Sequence, residues 1–168
     1  MAQNVEIKRY CQDFLPVRRM LKQLGARHTA TKQQTDTFLR VGDADGNRFR
    51  RMKVREEQRR TQLIGYSDTY ADGLRSVDYQ VAEITRAVKN LLVGALGVST
   101  VVRKKRELWM LGTTRFHLDT VEGVGRVFEV EVVLKDGEIP DDAQRYLRLF
   151  EPYLGERIDG SNEDLVGR

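Results

Sequence analysis

Between Arg115 and Leu134 the chain reads RFHLDTVEGVGRVFEVEVVL, in which charged and apolar residues alternate on both sides of an EGVG turn. Successive side chains of a β-strand point to opposite faces, so Arg115, His117 and Asp119 share one face while Phe116 and Leu118 share the other. Beyond the turn, Glu129 and Glu131 oppose Phe128, Val130 and Val132. A fold containing this hairpin must cover its apolar face while keeping the charged one solvated or compensated. If EGVG closes a simple hairpin, Asp119 lies near Glu129 and His117 near Glu131, subject to a one-residue shift from any bulge. Like charges placed together cost stability, so such a pair of carboxylates implies a cation, and oxygen donors suit Mg²⁺ or Mn²⁺ better than zinc. A solvated sheet face whose acids pair with nearby lysines and arginines is the plainer alternative.

The same period of two recurs along the chain. Strands are predicted over Val5–Tyr10, Gln33–Leu39, Arg48–Arg55, Gln62–Tyr66, Val101–Met110, Thr113–Val121 and Arg126–Leu134. Short turns such as GDADGN and EGVG imply mainly antiparallel pairing. Glu6 and Lys8 share a face, as do Arg51, Lys53 and Arg55 in front of Met52 and Val54. Lys104 and Arg106 share another, but Arg103 and Lys105 flank them, so the inward side of that strand is ambiguous.

Three helices are predicted. The first follows Asp13, with Phe14, Leu15, Val17, Met20, Leu21 and Leu24 as its apolar stripe, Pro16 near the first turn and Gly25 as its stop. The second follows Asp78, with Val81, Ile84, Val88, Leu91, Leu92 and Ala95 on one face before Gly97; the third starts at Asp141 after Pro140, with Ala143, Tyr146, Leu147, Phe150 and Leu154 inward. Amphipathic helices must cover the apolar side of the sheet, which leaves the charged sides facing one another across a curved sheet or a barrel lumen. The fold class is α+β. A dry lumen of lysines and arginines is unfavourable, and a highly charged anion bound with a metal compensates both signs. Triphosphate meets that demand, because arginine grips phosphate oxygens in pairs and lysine acts as a point charge.

With 168 residues and only three prolines, the chain is expected to form one domain over 1–168, with no visible linker or repeat. The longest uncharged stretch, Asn90 to Val102, is shorter than the roughly 20 residues that span a bilayer, so no membrane segment is expected. MAQNVEIKRY places charges where a signal peptide needs an apolar run, and the lone Cys11 has no internal disulfide partner, so a cytoplasmic protein is expected. The net charge of +4 suggests an anionic partner. Nucleic acid is disfavoured, because the basic strands carry few stacking aromatics and share their surface with Asp119, Glu129 and Glu131.

The ordered elements NVEIKRY, QTDTFL, RMKVRE, SVDY, VVRKKRELW and the hairpin RFHLDTVEGVGRVFEVEVVL resemble the CYTH group, or triphosphate tunnel metalloenzymes, over nearly the whole chain. RMKVRE, SVDY and VVRKKRELW resemble its class IV adenylate cyclase branch in particular. The resemblance implies a mainly antiparallel, eight-stranded, closed or nearly closed β-barrel, a tunnel with a polar lumen and helices outside. It implies metal-binding roles, for Mg²⁺ or Mn²⁺, at Glu6, Asp119, Glu129 and Glu131. It implies phosphate contacts from Lys8, Arg51, Lys53, Arg55, Lys104, Arg106 and Arg115, with Lys8, Arg55, Lys104, Arg106 and Arg115 closest to the chemistry and Arg51 alternatively at the rim. Arg75, just before SVDY, is a further candidate cation. His117 is a candidate substrate contact whose simpler reading is a strand histidine hydrogen-bonded to Glu131.

Two positions depart from the family pattern. Asn4 stands where the family's ExExK signature begins with glutamate, and Ser67 stands where the family tends to place lysine or arginine. Three functions follow as alternatives: cyclisation of ATP to cyclic AMP and pyrophosphate, hydrolysis of thiamine triphosphate, tripolyphosphate or a nucleotide, and non-catalytic triphosphate or polyphosphate binding. The partner is in each case a triphosphate-containing molecule, with a homodimer left open.

Overall fold

The computed structural model describes residues 2–42, 46, 48–71, 74–133 and 141–166. Its strands are β1 (Ala2–Cys11), β2 (Arg27–Leu39), β3 (Arg51–Glu57), β4 (Arg60–Ala71), β5 (Leu74–Glu83), β6 (Val98–Leu111), β7 (Thr114–Val121), β8 (Gly125–Val133) and β9 (Leu154–Arg157). The helices are α1 (Phe14–Gln23), α2 (Arg86–Leu96) and α3 (Asp141–Phe150). Neighbouring strands pair antiparallel in the order β5-β4-β3-β2-β6-β7-β8-β1, and β1 pairs back onto β5, closing an eight-stranded barrel. β9 extends β1 beyond the end of its β5 pairing. Among the described residues, no helix is long and apolar enough to cross a membrane.

The apolar faces of β1, β6, β7 and β8 turn outward onto α1 and α3. Val5, Ile7, Phe116, Leu118, Phe128, Val130 and Val132 pack there with Phe14, Val17, Leu21 and Phe150. α1 forms because its buried positions recur at helical spacing and Asp13 caps it, accepting from the Leu15 amide at 2.9 Å. Gly25, at φ +80°, adopts the left-handed conformation that ends the helix region. Leu15, placed on the expected stripe, is 48% exposed instead. α3 ends at Phe150 rather than Leu154, since Pro152 cannot continue the helix, and Leu154 reaches the same core from β9. Leu134, Pro140, the side chain of Ala143 and most of the GDADGN turn lie outside the described residues.

The second predicted helix is half a strand. Residues from Asp78 to Glu83 belong to β5, which pairs with β4 from Leu74 to Glu83, and the helix begins only at Arg86 under a Thr85 cap. Val81 and Ile84 are spaced as on a helix, but Val77, Tyr79 and Val81 also alternate, and the pairing with both β4 and β1 decides between the two. α2 contributes no buried residue, and Leu91, expected inward, is 73% exposed.

A second apolar cluster sits inside the barrel. Phe38, Val102, Val121 and Val127 lie two residues from Asp36, Lys104, Asp119 and Glu129 on their strands, and so share the lumen face. With Tyr66, Val77 and Ile158 they fill one end of the barrel, and Leu165 and Val166 of the C-terminal segment pack against them.

Phe116 is fully buried against Phe128, Phe150 and Tyr146, with ring centroids 6.3, 5.8 and 5.4 Å away. Phe116→Ala is expected to lower stability by about 3–5 kcal/mol, read from urea unfolding midpoints.

Candidate active site

Above the apolar plug the lumen opens into a cavity of about 570 Å³ lined, among the described residues, by nine basic and four acidic side chains. Each comes from an alternate position of its strand: Glu6 and Lys8 on β1, Lys53 and Arg55 on β3, Lys104 and Arg106 on β6, Arg115 and His117 on β7, Glu129 and Glu131 on β8. The ambiguity of β6 is resolved by its packing, since Lys104 is buried in the lumen and Arg103 and Lys105 are exposed.

Two hairpins carry the same device. Arg55 binds Asp36 through Nε and Nη2 at 2.7 and 2.6 Å, and Lys53 Nζ reaches the same carboxylate at 3.0 Å. Arg106 binds Asp119 at 2.7 and 2.6 Å, with Lys104 Nζ at 3.1 Å. In each case a Lys-x-Arg pair on one strand is held by an aspartate directly across from the arginine. Burial raises the pKa of both aspartates, but the facing cations outweigh it and leave each below the usual range. Asp36 escaped the sequence reading as a site residue. Its signal was present in QTDTFL, where it stands on a strand before a threonine as Asp119 does.

The hairpin register differs from the simple expectation. His117 faces Glu129, Arg115 faces Glu131, and Asp119 faces Val127. The Val124 amide returns to the Val121 carbonyl at 3.1 Å, and Gly123 and Gly125 adopt φ of +76° and +111°, so the strands close at Val121 and Gly125. The displacement is by two residues and therefore keeps every side chain on its expected face. His117 still reaches Glu131 diagonally, Nε2 to Oε2, at 2.6 Å, and lies 3.7 Å from Glu129.

Ligand atoms of His117, Glu129 and Glu131 all lie within 4.8 Å of one another. Glu131 also accepts from Asn4 Nδ2 at 2.5 Å and Arg115 Nη1 at 3.3 Å, while Asn4 Oδ1 is buried without a hydrogen-bond partner. Two carboxylates with an unsatisfied amide oxygen beside them fit a hard divalent cation such as Mg²⁺ or Mn²⁺. Glu129 lies 3.2 Å from Lys8 and 3.7 Å from Arg106. Burial opposes its ionisation, but Lys8, Arg106 and His117 hold its pKa well below the usual carboxylate range. Burial likewise opposes ionisation of Glu131, and the His117 hydrogen bond leads the interactions that bring its pKa to about 2.

Glu6 pairs with Arg75, which also donates to Asp68 at 2.9 Å. Arg51 is drawn to the C-terminal segment, donating to Ser161 Oγ and Asp164 Oδ1 at 3.0 Å and to Glu163 at 3.2 Å; it does not line the cavity and lies across from Tyr66 at the plugged end of the barrel. Ser67 alternates with Tyr66 and faces away from the lumen, bonding the backbone of Arg48 and Arg50. A lysine or arginine there would not reach the cavity on this backbone, so Ser67 removes no lumen cation.

A profile of the CYTH domain matches residues 2–162. No curated protein matches the chain by sequence. Among solved structures, the PH1012 protein of Pyrococcus horikoshii OT3 superposes with a TM-score of 0.77 at 17% identity, covering 98% of this chain and 99% of that one. A Vibrio parahaemolyticus protein provisionally assigned as an adenylate cyclase gives 0.74 at 18%, covering 98% of each chain. HpAC1 of Hippeastrum, provisionally assigned as an adenylyl cyclase and described with a dominant triphosphatase activity, gives 0.65 at 16%, covering 97% of this chain and 94% of that one.

Burial, with Arg55 and Lys104 nearby, brings the Lys53 pKa from 10.5 down to about 7 despite the pull of Asp36. Between those values the unfolded chain binds more protons at this lysine than the folded one, so its contribution to stability rises with pH across that window. A bound polyanion reverses the balance by favouring the charged amine. Tripolyphosphate binding near pH 8 is therefore expected to take up a proton, and its affinity to fall from pH 7 to 9. Calorimetric titration in two buffers of different ionisation enthalpy measures the uptake, which Lys53→Met should reduce.

Proposed function

This chain belongs to the CYTH domain family, and we propose that it is a metal-dependent enzyme that binds a triphosphate in the barrel lumen and catalyses displacement at phosphorus. The observation that carries this reading is the charge of the cavity wall: among the described residues nine cations line it against four acids, Asp36 and Asp119 behind them raise the acids only to six, and two of the lining acids cluster beside an unpaired amide oxygen. A surplus of positive charge gathered in one cavity calls for a polyanion, and a separate acidic corner calls for a cation bound against it.

In this reading Lys8, Arg55, Lys104, Arg106 and Arg115 contact the phosphates, with Lys53 beside them and Arg75 behind Glu6. Asp36 and Asp119 fix the direction of the two Lys-x-Arg pairs, which would otherwise repel one another. Glu129 and Glu131, with Asn4 and His117, would hold Mg²⁺ or Mn²⁺, whereas Glu6, paired with Arg75, and Asp119, paired with Lys104 and Arg106, lie outside that group of ligand atoms. When bound, the metal supplies charge neutralisation at the phosphate oxygens. Every acidic side chain lining the cavity already faces a cation, as in Glu6 with Arg75, Glu57 with Lys32, Glu129 with Lys8 and Glu131 with Arg115. The chain's own contribution is therefore positioning and electrostatic stabilisation rather than a free general base.

The cyclase-like elements RMKVRE, SVDY and VVRKKRELW favour ATP as substrate, its ribose 3′-hydroxyl attacking the α-phosphorus as pyrophosphate leaves. Hydrolysis is the second reading, favoured by a lumen open at its mouth, where Arg60 and Arg115 are 62% and 37% exposed and water can enter.

Incubation with ATP, thiamine triphosphate or tripolyphosphate and Mg²⁺ or Mn²⁺, followed by product separation, tests the proposal. Cyclic AMP with pyrophosphate supports cyclisation, orthophosphate with a diphosphate supports hydrolysis, and binding without turnover refutes the enzymatic reading. Glu129→Gln is expected to lower metal-dependent turnover by about 10²-fold or more while retaining the fold by circular dichroism. Loss of the fold in that variant would assign Glu129 a structural role instead.

A further inference from the structure

The other six strands of the barrel each place at least one charge on the cavity wall, but β4 and β5 place none over Ile64–Tyr66 and Val77–Val81. There the lumen face is Ile64, Tyr66, Val77, Tyr79 and Val81. Tyr66 lies directly across from Tyr79, and Ile64 across from Val81, with Val77 next along β5. Cross-strand neighbours stand roughly 5 Å apart and same-face neighbours on one strand roughly 7 Å apart, so the two pairs form a patch about the size of a flat heterocycle.

The patch is more than an extension of the plug. Tyr66 and Val77 are buried at its lower edge, whereas Val81 is 42% exposed where the wall reaches the mouth. Val81 thus presents apolar surface at the cavity mouth, continuous with Ile64 and Tyr79 along the same wall. The cations stand beside it, because Lys53 pairs across the β3–β4 ladder with Ile64 and Arg55 with Gln62. A phosphate on Lys53 and Arg55 therefore has the apolar wall within reach of whatever the phosphate chain carries.

We infer that this wall seats the organic group of the substrate, so that the site selects a triphosphate bearing a flat ring over inorganic tripolyphosphate. The inference rests on the triphosphate reading above and adds the residues that recognise the organic group and the preference they impose. Charge alone argues the other way, since tripolyphosphate carries at least as much negative charge as the triphosphate of a nucleotide. A preference for an organic triphosphate must come from apolar contact.

Binding of ATP, thiamine triphosphate and tripolyphosphate, each with Mg²⁺, is measured by calorimetry on the full chain and on two variants. Ile64→Thr/Val81→Thr keeps strand-compatible, uncharged side chains, and Tyr79→Ala removes the ring at the centre of the wall. At least one organic triphosphate is expected to bind about tenfold tighter than tripolyphosphate. Both variants are expected to weaken it about five- to tenfold while shifting tripolyphosphate by less than about twofold. Equal or tighter binding of tripolyphosphate by the unaltered chain, or variants that weaken all ligands alike, overturns the inference and leaves the triphosphate reading standing. Binding of none of the three ligands overturns both. Thermal unfolding of each variant identifies one that has lost its fold, and the double variant carries the test if Tyr79→Ala does so.

Discussion

The pairing of β1 with β5 governs the rest of the structure. It joins the two edges of an eight-stranded antiparallel sheet, so that Glu6 meets Arg75 across the seam and the lumen side chains face one another across a cavity. Once the sheet is closed, its outer face must be covered where it is apolar, and α1 and α3 do this over β1, β6, β7 and β8. Closure also sets the electrostatic problem that the lumen side chains solve. Charges that would be screened on an open sheet are gathered in one cavity, where desolvation is costly unless each is matched.

The matching is local and incomplete. Asp36 and Asp119 each bind a lysine and an arginine with nearly the same geometry, which orders the cations without neutralising them. Burial together with neighbouring cations lowers the Lys53 and Lys104 pKa values to about 7 and 8. Under the proposed function a polyanion would relieve that strain, and a divalent cation would bind against it beside Glu129 and Glu131.

Much of this was legible in the residues. Period-two alternation placed Lys8, Arg55, Lys104, Arg106, Arg115, Glu129 and Glu131 on charged strand faces, and all of them line the cavity. β5 was missed because Val81, Ile84 and Val88 satisfy a helical period as well, and a short apolar run does not distinguish the two. Ser67 stands where the family tends to place a cation, but position after a motif carries no information about strand face until the strand is placed. Asp36 was overlooked because its role exists only once Lys53 and Arg55 are laid beside it by β2–β3 pairing.

The amino-acid sequence by itself determined which residues can share a face, where α1 starts and stops, and that a two-signed charged surface must coexist with an apolar one. These follow from backbone geometry and side-chain chemistry over a few residues. Tertiary structure decided that β6 turns Lys104 and Arg106 inward, that the EGVG hairpin closes two residues from its simplest register, and that Asp119 meets Arg106 while Glu129 meets Lys8. It also decided that β4 and β5 set an apolar wall among the charges. The physical reason is that periodicity specifies a face but not a partner, and partners here are strands far apart in sequence whose register is chosen by the packing of the whole barrel.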